Sequence, residues 1–240
     1  MTKYWSTSLL LLAIGGTATA GTLNFLNSPA TAIDTVNWSS IGPDGTPFPD
    51  GQTVESGLNN LTTINLGTQP VLGGITSVVC AAVNPANCSW PAQPSGYNSG
   101  DTLIWLEGLD TNGNPVGTGP LTLSLQQSVG GLGLYIQSES AGAFSASLTA
   151  FNGASSLGTQ SYTSDVAGDP LFLGVQDSVA EVSKVVVAVT ACGGFACDPN
   201  DFSADTLQIY DTSPEPATFA LGGALLALGF SVRKRFAGVR

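Results

Sequence analysis

Residues 121–151 read LTLSLQQSVGGLGLYIQSESAGAFSASLTAF. Leu121, Leu123 and Leu125 alternate with Thr122, Ser124 and Gln126. Leu132, Leu134 and Ile136 follow a glycine turn at Gly130-Gly131. Phe144, Ala146, Leu148 and Ala150 then alternate with Ser145, Ser147 and Thr149. A period of two puts all the apolar side chains on one side of a pleated strand, whereas a helix would scatter them around its axis. Three half-buried strands are predicted here. Working outward, Leu207 and Ile209 mark a short strand after Asp205, and Leu103–Leu106 and Val185–Val189 read as strands buried on both faces. Turn chemistry separates the runs at Asn112-Gly113-Asn114-Pro115, Asn152-Gly153, Gly168-Asp169-Pro170 and Asp198-Pro199-Asn200. Eight or more short strands at this spacing predict an all-β chain folded as a single β-sandwich. Residues 38–60, rich in Gly, Pro and Asn, read as a long surface loop.

Composition agrees: glycine supplies 30 of 240 residues and charged residues only 10%, which favours strands and turns over helices with charged faces. Charge is distributed unevenly along the chain. Lys184 is the single base between residues 21 and 213, against sixteen of the seventeen acids, a net charge of −15 for that stretch. So acidic a body repels nucleic acid and anionic lipid. There is no histidine. That removes the commonest general base near neutral pH and the commonest transition-metal ligand, and with them Ser/His/Asp and Cys/His catalysis. No phosphate-binding loop or dinucleotide fingerprint is present. The Glu-x-Asp-x-x-Glu pattern of jelly-roll glucanases follows none of the glutamates.

Four cysteines form two close pairs in sequence, Cys80/Cys88 and Cys192/Cys197. Four cysteines allow three pairings. Local disulfides are the preferred reading, each contributing about 2–3 kcal/mol on chain-entropy reasoning. Free thiols are the second reading and zinc the third, since neither pair has CxxC spacing and no histidine completes a site.

The two ends differ from the middle. Lys3, the apolar run Leu9–Ile14 and the small residues Ala18-Thr19-Ala20 make residues 1–20 a signal peptide cleaved between Ala20 and Gly21. At the other end, Thr212–Thr218 contains Pro214-Glu215-Pro216. Sixteen uncharged residues follow from Ala217 to Val232, then Arg233, Lys234, Arg235 and Arg240. The prolines keep the first part extended. The apolar part (about 217–232) predicts a short transmembrane helix, and the basic end (233–240) stays cytoplasmic by the positive-inside rule. The expected organisation is 1–20 signal peptide, 21–211 extracellular β-sandwich and 212–240 tail.

This tail resembles the PEP-CTERM sorting signal, with Pro214, Glu215 and Pro216 at the motif itself. The resemblance implies recognition by exosortase, transient insertion in the inner membrane, removal of the helix, and export to the surface or exopolysaccharide matrix of a Gram-negative bacterium. Residues 131–210 also resemble the jelly-roll domains of many PEP-CTERM proteins and carbohydrate-binding modules. The features are an alternating strand at 143–151, Phe172–Val175, a Val-rich strand and Asp201–Leu207. The fold expectation is therefore jelly-roll-like.

Other candidates follow from residue type. Asp205, at the opening of the last strand, stands where many such modules place a calcium ligand, although calcium needs six to eight oxygens. Asp110-Thr111-Asn112-Gly113-Asn114 reads better as a hairpin turn than as a calcium loop. Trp90 and Tyr97 are candidates for stacking on sugar rings, and Trp105 reads as core. The leading expectation is an exported, non-enzymatic surface or matrix protein without a cofactor. The alternatives are a carbohydrate-binding module of the extracellular matrix and, behind it, a secreted hydrolase using paired carboxylates.

Overall fold

The computed structural model describes residues 21–67, 77–82, 88, 96–109, 112, 114–193 and 197–211. Among them sixteen strands follow in chain order. They are β1 (Leu23–Leu26), β2 (Asp34–Val36), β3 (Gln52–Glu55), β4 (Leu61–Leu66), β5 (Val78–Ala81), β6 (Thr102–Trp105), β7 (Glu107–Leu109) and β8 (Pro115–Gly117), then β9 (Leu121–Val129), β10 (Gly131–Ser138), β11 (Phe144–Asn152), β12 (Ser155–Thr163), β13 (Leu171–Asp177), β14 (Val182–Cys192), β15 (Phe202–Ala204) and β16 (Leu207–Tyr210). The one helical element described is a 3₁₀ turn at Trp38–Ser40, capped by Asn37 Oδ1 accepting from the Ser39 amide at 2.9 Å.

Two large antiparallel sheets form. One runs β1-β13-β10-β15-β6-β5, with β16 joining β10 to β2. The other runs β12-β11-β14-β9-β4-β3, and β7 with β8 makes a separate antiparallel pair in which Leu109 faces Pro115. Inward side chains of both sheets share one core, among them Leu121, Leu123, Leu148, Val185 and Val187 from the six-stranded sheet and Leu132, Leu134, Ile136, Val175 and Ile209 from the other. The fold is thus all-β and sandwich-like. Burying each such Leu or Ile contributes about 1.5–3 kcal/mol.

The Gly130-Gly131 turn does not close a hairpin. β9 and β10 lie in different sheets, and the chain crosses between them at Gly130. β10 also departs from simple alternation, because its outward glycines are buried as well. Phe172 lies over Gly133, edge-on to Tyr135 at 5.1 Å between ring centres, and a Cβ on Gly133 would overlap the Phe172 ring, while one on Gly131 would meet the Val175 carbonyl.

Two further expectations need correction. Residues 38–60 are not a plain surface loop, since they contain β3 and bury Trp38 and Phe48 in the core. β14 is buried on one face only: Val185, Val187 and Val189 enter the core, while Val186 and Ala188 are half-buried among hydroxyl-bearing neighbours on the outer face. Leu103–Leu106 is buried on both faces. Ile104 and Leu106 join the main core, and Leu103 and Trp105 join Cys80 and Ala82 in a small cluster on the opposite side.

Both cysteine pairs are disulfides, Cys80–Cys88 with Cα atoms 6.0 Å apart and Cys192–Cys197 with 5.9 Å. Such bonds fit a protein that resides in an oxidising compartment outside the cytoplasm. No helix among the described residues is long and apolar enough to cross a membrane. The expected signal peptide and tail, including Ala20 and Pro214-Glu215-Pro216, lie outside the described residues.

The first and last described segments leave from one end of the eight-stranded sheet. Leu23 pairs with Asp177, the Thr22 amide donates to Ser178 Oγ at 2.9 Å, and Gln176 Nε2 donates to the Asp211 carbonyl at 3.0 Å. Outward on the six-stranded sheet stand Thr63 and Asn65 of β4, Thr122 and Ser124 of β9, Ser145, Ser147 and Thr149 of β11, and Thr159, Ser161 and Thr163 of β12.

Leu148→Ala, which opens a cavity between the sheets, is expected to lower the unfolding free energy by about 2–5 kcal/mol in urea titration. Ser147→Ala, one position along and facing out, is expected to stay within about 0.5 kcal/mol of the parent.

Candidate functional site

The residues with the most altered chemistry gather on the outer face of the eight-stranded sheet, at the end of β10 away from the chain ends. Register builds the place. Gln137 of β10 pairs with Ser203 of β15, and Ser203 pairs with Trp105 of β6, so these side chains form one row across the sheet. Asp201 precedes β15, Glu139 follows β10 and Glu107 opens β7. The Glu139 amide donates to the Asp201 carbonyl at 3.2 Å, which ties the two segments together.

Asp201 is 2% exposed, and Trp105 Nε1 donates to its Oδ1 at 2.7 Å. Its carboxyl is pushed up to about 9, first by burial, then by a hydrogen bond with the Glu139 carboxyl and by that neighbour's charge; the Trp105 N–H pulls the other way, and Glu107 adds further repulsion. Glu107 is pushed up to about 7 by burial and by the Glu139 charge. In a hydrogen bond between two carboxyls one must be protonated, because an ionised carboxylate only accepts, and it is Asp201 that holds its proton above the usual carboxylate range. At neutral pH this corner of the protein therefore holds a proton on Asp201.

A second group adjoins it. The Tyr97 hydroxyl lies 3.0 Å from Ser203 Oγ, and burial raises its titration far above the usual phenol range. Asp205 is 8% exposed. Its carboxyl is pushed up to about 6 by burial, opposed by the Thr206 amide that donates to Oδ1 at 2.6 Å, with the Asp101 charge adding to the rise. Asp205 sits where strand pairing slips by one residue: Ile136 faces Ala204, but Gly133 faces Gln208. An extra residue at this break is a bulge, a device that re-aims side chains.

The structure thus brings two sequence candidates, Tyr97 and Asp205, to one corner. The Tyr97 ring packs on the cluster of Cys80, Ala82, Leu103 and Trp105. Trp90 lies outside the described residues, and Gly21 is the first residue described. Asp44 stands beside the Cys80–Cys88 bridge, its Oδ1 3.7 Å from Cys88 Sγ and 2.8 Å from the Ala81 amide it accepts from. These three residues are close enough together to hold a metal, but the disulfide leaves no thiolate to bind one.

Glu107, Glu139 and Asp201 do not stand out in the sequence. The one available signal is Asp201-Phe202-Ser203-Ala204-Asp205, whose polar residues alternate onto one strand face. The carboxyls of Asp201 and Glu139 touch, whereas glycoside hydrolysis needs carboxyl groups about 5–5.5 Å or about 6.5–9.5 Å apart. This pair does not have the geometry to flank a sugar bond. Its oxygens are of the kind that hard cations take.

No family model and no curated protein matches the sequence. Among solved structures, the chain is similar to a DUF4465 family protein from Bacteroides caccae at 11% identity, covering 78% of this chain and 100% of that one with a TM-score of 0.36. A likeness that loose carries no argument about function.

The three raised carboxyls bind protons more tightly in the fold than in the unfolded chain, so stability falls as pH rises, for Asp205 from about 4 to about 6, for Glu107 from about 4.5 to about 7 and for Asp201 from about 4 to about 9. The melting temperature is expected to decline across that window. Asp201→Asn, which keeps an acceptor for Trp105, should flatten the decline above pH 7. A parallel decline in the variant would show that the cluster does not set it.

Proposed function

We propose that the chain is an exported, non-enzymatic surface or matrix protein, sorted through its C-terminal segment by an exosortase. The observation that carries this reading is the succession, in the sequence, of Pro214-Glu215-Pro216, sixteen uncharged residues from Ala217 to Val232, and a basic end. Each part has a physical role. The prolines offer an extended peptide for a membrane protease to grip, the apolar run supplies a span, and the basic end is a positive stop. Residues 1–20 serve as the export signal. The two disulfides support the extracytoplasmic setting. A jelly-roll-like topology is supported by the way the chain changes sheet between β2 and β3, β4 and β5, β9 and β10, β10 and β11, β12 and β13, β13 and β14, and β14 and β15. In this reading the acidic body stays solvated and clear of anionic membrane once the tail is removed.

The test is the intact mass of protein recovered from cell surface and medium, in cells with and without exosortase. The mature chain is expected to begin at Gly21 and to end near Pro214–Pro216 only when the enzyme is present. Glu215→Ala should leave the tail attached in both strains. A tail retained in the parent chain in exosortase-bearing cells would reduce the segment to an ordinary anchor.

A further inference from the structure

Among the described residues, acids are sparse on one face and reach it only at its β3–β4 edge, where Asn65 Nδ2 donates to Asp50 Oδ1 at 3.4 Å. β12, β11, β14, β9 and β4, five adjoining strands of the six-stranded sheet, contain no Asp or Glu. Lys184 is the one charge they carry, and its Nζ is held 4.2 Å over the Phe151 ring. Glu55 sits on the edge strand β3. All remaining acids of the −15 body therefore lie off these five strands.

Beside Val186 and Ala188, half-buried on the central strand β14, the face presents a grid of hydroxyls on β11 and β12. Ser145 Oγ lies 2.8 Å from Thr163 Oγ1, and Thr149 Oγ1 lies 2.9 Å from Thr159 Oγ1. Ser147 opposes Ser161 between them. In each bonded pair one hydroxyl donates to the other, and the second keeps its own proton to donate outward. The β-branched threonines are stiff about χ1, and the cross-strand bonds fix them further, so little rotamer freedom remains to be lost on binding. Strands about 4.8 Å apart and alternate residues about 6.8 Å apart set the grid.

We infer that this face docks an uncharged polysaccharide. A polyanion meets one lysine here and a strongly negative body around it. A polycation is drawn to the acids elsewhere on the surface. A second copy is disfavoured by area: the spacings above give the five strands a flat face of about 700 Å², below the about 800 Å² per partner of a stable interface. An extended neutral chain needs no pocket, meets no repulsion, and exchanges hydroxyl contacts with water for hydroxyl contacts with the sheet. Single-site binding is weak, and repetition along the polymer makes it effective. The matrix setting proposed above gives this binding its place. That setting is tested by tail cleavage in cells, so either statement can fail without the other.

The experiment is co-sedimentation of the purified full-length chain, in mild detergent, with cellulose, insoluble dextran and galactomannan beads as neutral probes and calcium-gelled alginate as the anionic one. Thermal melting serves as the check on folding. Retention is expected on at least one neutral probe and not on alginate. Thr149→Val combined with Thr159→Val, which keeps shape and strand propensity, should weaken it about tenfold, the loss of one to two hydrogen bonds. Ser147→Arg, placing bulk between the two bonded hydroxyl pairs, should do the same, and Trp90→Ala should change nothing. Preference for alginate, no retention on any neutral probe, or loss in Trp90→Ala with both face variants unaffected would each overturn the inference. So would self-association in sedimentation that the face variants abolish.

Discussion

β10 has partners on both edges and side chains covered on both faces, and the arrangement of the rest follows from that. β13 takes one edge along most of its length. The other edge is shared by β15 and β16, which are successive parts of one chain segment separated by the bulge at Asp205-Thr206. Every backbone amide of a strand so enclosed needs a partner in the sheet, since water cannot supply one. The small outward residues have separate reasons: Phe172 occupies the space above Gly133, and the Val175 carbonyl and Gln176 of β13 crowd Gly131. The core contributed by Leu132, Leu134 and Ile136 and the carboxyl corner beyond Ser138 are two ends of the same constraint.

The strands were legible in the sequence, because a period of two is a local property: Leu121 to Leu125 and Phe144 to Ala150 point inward as their alternation requires. The local cysteine pairing was legible for the same reason, each closing a short loop. Sheet membership was not. Nothing in Val129-Gly130-Gly131 distinguishes a hairpin from a crossing between sheets, since both need a flexible turn and only the distant partners β13 and β14 decide. The one-sided burial of β14 was hidden too, because five consecutive small apolar residues look alike whether or not a layer covers them.

The carboxyl corner was the least legible part. Trp105 and Asp201 are 96 residues apart, and Glu107 and Glu139 reach them from two further segments. No local pattern encodes such a meeting. Tyr97 and Asp205 stand out by residue type, as partners for a sugar ring and for calcium, and the structure gives each a hydrogen-bond partner within the protein, Ser203 for the one and the Thr206 amide for the other. The absence of acids from five strands, by contrast, is written in the sequence, but it acquires meaning only when pairing shows those strands side by side.

Where the chain leaves the fold has a mechanical consequence. β16 points straight out of its sheet at Tyr210, flanked by β10 on one side and β2 on the other. Tension applied beyond Asp211 runs along the strand, while the bonds that hold it run across. Such a pull loads both ladders at once in shear and does not open them one rung at a time. A body tethered from that point, even briefly, would keep its fold under drag from the medium, and the carboxyl corner would be held about 25 Å away at the far end of β10, facing outward.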